Sequence, residues 1–320
     1  MTKVFYNIIE LMRKRLITFF HFNKQVIVEY FADNVIKYSA SLAYYTTLSL
    51  APMLVILISV SGILFGKEAM KGQVYSQMNG MIGNDAAAQI QTTMQQIHLS
   101  KDTPIATIIS AVILIIGATG IFGEMQDSLN KIWGLKTIGR KVWWKLILNR
   151  LLSFSIIICM GFVLMVSLIL NAVVAAISGK LNTVIHGIGD TLIPVVDYGL
   201  SIGITLILFA TIFKVLPDAK IKWKDVFVGA LITAILFMLG KLGIGYYLSK
   251  SNLATVFGAA GSVIIIMIWV YYSSAILYLG AVFTKVYATD FGGKIYPNDY
   301  ATWIRIEQVP VADVSLAKPE

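Results

Sequence analysis

Charge is what this sequence has least of: Asp, Glu, Lys and Arg fill 13% of its 320 positions and hydrophobic residues 57%, whereas a soluble domain is about a quarter charged. Such a chain does not read as a water-soluble globule. Cysteine is rarer still, with Cys159 alone inside an apolar run, so an intrachain disulfide is excluded and the side chain reads as a small buried apolar group. The three histidines, His21, His98 and His186, fall in three different connections and cannot share a metal site. Sequence signatures of catalysis are missing too: no G-x-S-x-G, no phosphate-cradling Gly-Lys loop and no H-E-x-x-H. Glu124 and Asp127, near a helix end, read as solvated interface residues. The expectation is a protein that is not an enzyme and needs no metal and no cofactor.

What is present is a set of long charge-free runs. Ser251 to Thr284 holds no Asp, Glu, Lys or Arg over thirty-four positions, and a bilayer core of about 30 Å takes roughly 20 apolar residues as a helix. The reading is all-α: a polytopic membrane helix bundle with six transmembrane helices at 38–66, 103–123, 151–179, 197–213, 226–248 and 251–284. They make a six-span domain over 38–286. Residues 1–37 form a cytoplasmic amphipathic segment in which Phe5, Ile8, Met12, Leu16 and Phe19 recur at helical spacing between basic residues. Two placements stay open for it, in the membrane surface or packed on the protein's own cytoplasmic face. Lys67 to Asp102 is polar with one apolar helical face and is expected to be a helical extracytoplasmic cap, and 287–320 is a polar cytoplasmic tail.

Lys and Arg divide unevenly between the two sides that six spans define. The amino-terminal segment, the second-to-third and fourth-to-fifth connections and the tail carry twenty of the twenty-six, the opposite connections five, and Lys241 lies within a span. Cytoplasmic loops collect positive charge, so both termini are expected inside, in a bacterial cytoplasmic membrane. The net charge of +9 is then matched to anionic lipid headgroups at the cytoplasmic face. Nucleic acid is not called for, and homo-oligomerisation stays open.

Polar and aromatic groups within spans mark the candidate path, because such groups are costly in lipid unless they face protein or a cavity. The candidates are Tyr44, Tyr45, Ser49 and the helix-breaking Pro52 in the first span, Gln126 and Asn130 after the second, and Trp269, Tyr271 and Ser273 in the last. Gly258, Gly261 and Gly280 are expected at close helix contacts. Asp197 and Lys241 fall at one level near the outer end of consecutive antiparallel helices. They form either an ion pair at the mouth of a path or a solvated Asp beside a snorkelling Lys.

Four stretches in order carry a family resemblance: SLAYYTTLSLAPMLVILISVSGILFG at 41–66, GATGIFGEMQDSLNKIWG at 117–134, LPDAKIKWKDVFVGA at 216–230 and FGAAGSVIIIMIWVYYSSAILYLGA at 257–281. The chain resembles the YihY/virulence factor BrkB family, once labelled ribonuclease BN, from about Asp33 to Ala288. The resemblance implies a six-span integral membrane protein and brings no agreed substrate. Where the family commonly has Gly-Ala-Glu at the end of the last span, this chain has Gly280, Ala281 and Val282. Two readings follow: a transporter or flippase-like exporter of an amphipathic or lipidic molecule, or a scaffolding membrane protein that binds lipids or partners without transport. The first is preferred because polar groups inside a membrane usually mark function. A ribonuclease ranks last, for want of a catalytic constellation.

Overall fold

A computed structural model describes residues 2–49, 120–138, 189–250 and 261–304, without the side chains of 2–9, 11, 12, 189–197, 248, 249 and 262. Its helices are α1 (Thr2–Ala32), α2 (35–49), α3 (120–132), α4 (Gly189–Val215), α5 (Trp223–Lys250) and α6 (Gly261–Asp290). Three of them are long and apolar enough to cross a membrane, over Tyr198–Val215, Trp223–Tyr247 and Val263–Asp290. These fall on the fourth, fifth and sixth expected spans. Of the others, 38–66 is described to residue 49 and 103–123 from residue 120, while 151–179 and the cap at 67–102 lie outside the described residues.

The chain is mostly helical, and among the described residues it also has two short antiparallel ladders that a purely helical reading leaves out. Strand β1 (Leu135–Thr137) pairs with β4 (Ala301–Trp303), and β2 (Ala219–Lys220) pairs with β3 (Tyr296–Pro297). Strands of two or three residues leave no alternation for a sequence to display. They tie the segment after α6 to the connections after α3 and α4.

Helix α1 ends sooner than the expected boundary at residue 37. Asn34 adopts a left-handed φ of 55°, a conformation that Asn tolerates at helix C-termini, and α2 begins at residue 35. Against α6, α1 sets Phe22 edge-on to Phe283 with centroids 5.0 Å apart. Lys285 of α6 reaches back to Glu29 at 2.8 Å and Asp33 at 3.3 Å.

Among the described helices the closest contact joins α5 and α6. A Cβ on Gly229 would collide with the Thr284 hydroxyl and lie 2.8 Å from its Cβ, and a Cβ on Gly280 would do the same to Thr233. The two pairs are reciprocal. Each threonine hydroxyl donates within its own helix, Thr233 to the Gly229 carbonyl at 2.7 Å and Thr284 to the Gly280 carbonyl at 2.6 Å. Neither hydroxyl therefore seeks a partner across the seam, and each side chain fills the hole its glycine partner leaves. Between apolar helices in lipid this packing, more than any expulsion of water, holds the backbones together.

Candidate functional site

At the end of the bundle where α3 finishes and α5 begins, one carboxylate gathers several segments. Asp218 is 2% exposed. Its Oδ1 accepts from Gln126 Nε2 at 3.1 Å, and its Oδ2 from Asn130 Nδ2 at 3.0 Å and Thr137 Oγ1 at 2.9 Å. Its backbone N–H donates to Asn130 Oδ1 at 2.8 Å, and its carbonyl accepts from the Asn298 N–H at 3.0 Å. Burying a charge costs several kcal/mol unless hydrogen bonds satisfy it, at roughly 1.5–3 kcal/mol each. The arrangement is therefore a latch that fixes α3, the α4–α5 connection and the 296–303 segment. Tyr300 lies against it, and burial pushes its phenol above the ordinary value, with the Asp218 carboxylate adding to the rise.

Two further contacts close this end. Trp133, 1% exposed, donates its indole N–H to the Ala281 carbonyl at 3.1 Å. Gly293 N–H donates to Asp225 Oδ2 at 2.8 Å, and a Cβ on the preceding Gly292 would sit 2.6 Å from that carboxylate. Backbone approaches this close require glycine, and an acidic group in the first turn of α5 also suits the helix dipole.

Beside this latched end, α1, which packs on α6, leaves with α5 and α6 a groove of about 780 Å³. From α1 it is lined by Lys14, Arg15, Thr18, Phe19, Phe22, Asn23, Val26 and Ile27; from α5 by Ile232 and Leu236; from α6 by Leu279, Phe283 and Tyr287, with Phe291 just beyond. The polar liners between its two ends are already engaged, Thr18 Oγ1 with the Lys14 carbonyl at 2.9 Å and Asn23 Nδ2 with the Phe19 carbonyl at 2.8 Å. An apolar channel with two cations at one end remains. Its volume falls within the roughly 300–1,000 Å³ of small-molecule pockets.

The residues singled out by sequence are scattered over these features. Gln126 and Asn130 are latch residues. Tyr44 and Tyr45 are exposed and meet edge-on at 5.8 Å, and Tyr45 touches the open side of Gly120. Ser49 is buried. Trp269 is half-buried and edge-on to Phe237 at 6.1 Å, with an indole N–H that has no hydrogen-bond partner among the described residues. Tyr271 and Ser273 are half-buried two and four residues further along α6, Tyr271 on the side of Tyr30. Gly280 packs on Thr233, Gly261 is buried at the start of α6, and Val282 is wholly enclosed in apolar surroundings. Pro52, Gly258 and the Asp197 side chain lie outside the described residues, so the pairing of Asp197 with the half-buried Lys241 does too. Sequence reasoning missed Asp218, Thr137 and the α1 wall of the groove. For Asp218 a signal existed, an acidic residue set between Pro217 and Ala219 in a quoted motif.

The sequence profile of the family described as virulence factor BrkB matches residues 26–299. Among similar proteins, a UPF0761 membrane protein of Tolumonas auensis is 26% identical over 79% of this chain and 80% of its own length. One of Vibrio atlanticus is 27% identical over 81% and 80%. A third, of Ralstonia nicotianae, is 26% identical over 78% of this chain but only 54% of its own length. No solved structure matches.

Proposed function

Because the chain belongs to the virulence factor BrkB family, whose relatives are named as membrane proteins, we propose that it is a transporter or flippase-like exporter of an amphipathic or lipidic molecule. In this reading six spans cross a bacterial cytoplasmic membrane with both termini inside, and anionic lipids face the basic cytoplasmic surface. The chain moves its cargo without making or breaking a covalent bond in it, and needs no cofactor.

One observation carries the reading: the groove between α1 and the α5–α6 pair, with apolar walls and a basic end. The groove is open at its mouth, so its apolar walls stay available to a ligand and are not sealed against protein. An amphiphile needs both parts of it. Reconstitution tests the proposal. Proteoliposomes carrying a headgroup-labelled phospholipid in both leaflets should lose label to an impermeant quencher beyond the outer-leaflet fraction. Quenching no deeper than in protein-free vesicles, with each of several lipid classes, sinks it.

A further inference from the structure

We propose that the groove beneath α1 is a binding site for one anionic phospholipid of the surrounding bilayer, with an acyl chain along the groove floor and the headgroup phosphate at Lys14 and Arg15. This names the substrate class for the transport reading and rests on that reading only for the lipid's being cargo.

The sign of the headgroup comes from the liners. Every charged residue among them is basic, and no acidic side chain lines the groove among the described residues. Lys14 has a carboxylate nearby, Glu10 at 3.2 Å, but that pair lies open to solvent at 75% and 52% exposure, where ion pairs contribute little. Arg15 forms no ion pair among the described residues. A planar guanidinium beside an ammonium suits a phosphate, since the first offers paired donors and the second a mobile point charge.

The depth of the floor fits an acyl chain. Leu236 lies eleven residues along α5 from Asp225, and Leu279 eleven residues before Asp290. At 1.5 Å per residue each is about 17 Å in from those charged helix ends. That is close to half of the roughly 30 Å hydrocarbon thickness, one leaflet. The opposite face of α1 explains how a lipid could enter. Leu16, Ile17, Phe20, Val28 and Phe31 are all more than half exposed there, an apolar stripe that rests in the bilayer interface and keeps the groove mouth among lipids.

The test uses the full chain in nanodiscs that mix phosphatidylglycerol and phosphatidylcholine, each in turn carrying a photoreactive acyl chain. Peptides spanning Phe22 and Phe283 should take about thirtyfold more label from phosphatidylglycerol, the order expected for two basic residues at an anionic headgroup. The double substitution Lys14→Glu, Arg15→Glu should abolish that preference. Arg13→Glu with Lys24→Glu, which changes net charge equally from outside the groove lining, should keep it. If the first pair of substitutions prevents folding, Lys14→Gln with Arg15→Gln serves instead. Equal labelling by the two lipids, or an unchanged preference in the groove variant, would overturn the proposal. Quenching in the reconstitution above separates the two ideas: transport of both lipids with no preference in labelling ends only the headgroup assignment, whereas labelling without transport ends only the transport reading.

Discussion

Asn130 and Asp218 hold each other twice, the amide nitrogen donating to the carboxylate at 3.0 Å and the amide oxygen accepting the Asp218 backbone N–H at 2.8 Å. Only a side chain with a donor and an acceptor side by side can do this. Asn130→Asp keeps the shape, loses the donor and puts a second carboxylate against the first; Asn130→Ala removes both bonds. Each lost partner leaves a buried polar group at a cost of about 1–3 kcal/mol. Both variants should lower the melting temperature in detergent, Asn130→Asp more than Asn130→Ala because of like-charge repulsion. Equal stability of wild type and Asn130→Ala would mean that the latch does not hold this end together.

The Asp33 carboxyl is pushed above its ordinary value of 3.8 by burial and, to a smaller degree, by Glu29, while Lys285 pulls it back down. The folded chain therefore binds this proton more tightly than the unfolded one. Its contribution to stability is complete below pH 3.8 and is lost as pH climbs through the raised folded value. The melting temperature of wild type relative to Asp33→Asn should accordingly fall as pH rises through that window. A difference that stays flat, or that grows with pH, contradicts the burial argument.

Much of this was legible in the sequence, for reasons that differ by element. Spans four to six announced themselves as apolar runs with at most one charge each, long enough to cross a bilayer, and Gly280 as a small residue in an apolar helix. Gln126 and Asn130 were visible because they sit one turn apart on one helix face, but their common partner was not. Asp218 lies 88 residues from Asn130 in the chain, and a loop carboxylate among lysines looks solvated until the fold encloses it. The ladders escaped because a pairing of two or three residues has no period. The groove escaped because α1 is apolar on both faces, and which face meets protein depends on where α6 places Phe283.

The α5–α6 seam makes a packing prediction. Gly280→Ala puts a methyl group where the Thr233 side chain sits, and Thr233 is branched at Cβ and cannot swing away freely. Overpacking of this kind costs about 1–3 kcal/mol. Thermal stability should fall, and Thr233→Gly in the same chain should restore part of it. A second substitution with no restoring effect would show that the two residues do not share the contact.

Topology is open to chemical labelling once Cys159 is replaced by Ser. Single cysteines at Lys71 and His98 should react with an impermeant maleimide on intact cells, and cysteines at Lys136 and Lys222 only after permeabilisation. Both Lys136 and Lys222 are exposed, so silence there reports the side of the membrane and not burial. The opposite pattern would reverse the orientation and move the latch and the groove's basic end to the outer face.

Trp269 separates a path residue from a packing residue. Its indole N–H is buried with no partner among the described residues, and an unpaired buried donor costs about 1–3 kcal/mol. A donor kept at that cost inside a span points to something that arrives from outside the protein, since polar groups there usually serve function. Trp269→Phe deletes the donor and keeps a ring against Phe237, so the loss of aromatic area and the relief of the unpaired N–H oppose each other in stability. The melting temperature should stay near that of wild type. Lipid transport in proteoliposomes should slow by about fivefold, the worth of one hydrogen bond of about 1 kcal/mol. If transport is untouched while stability drops, the indole only fills space, and the path does not pass Trp269.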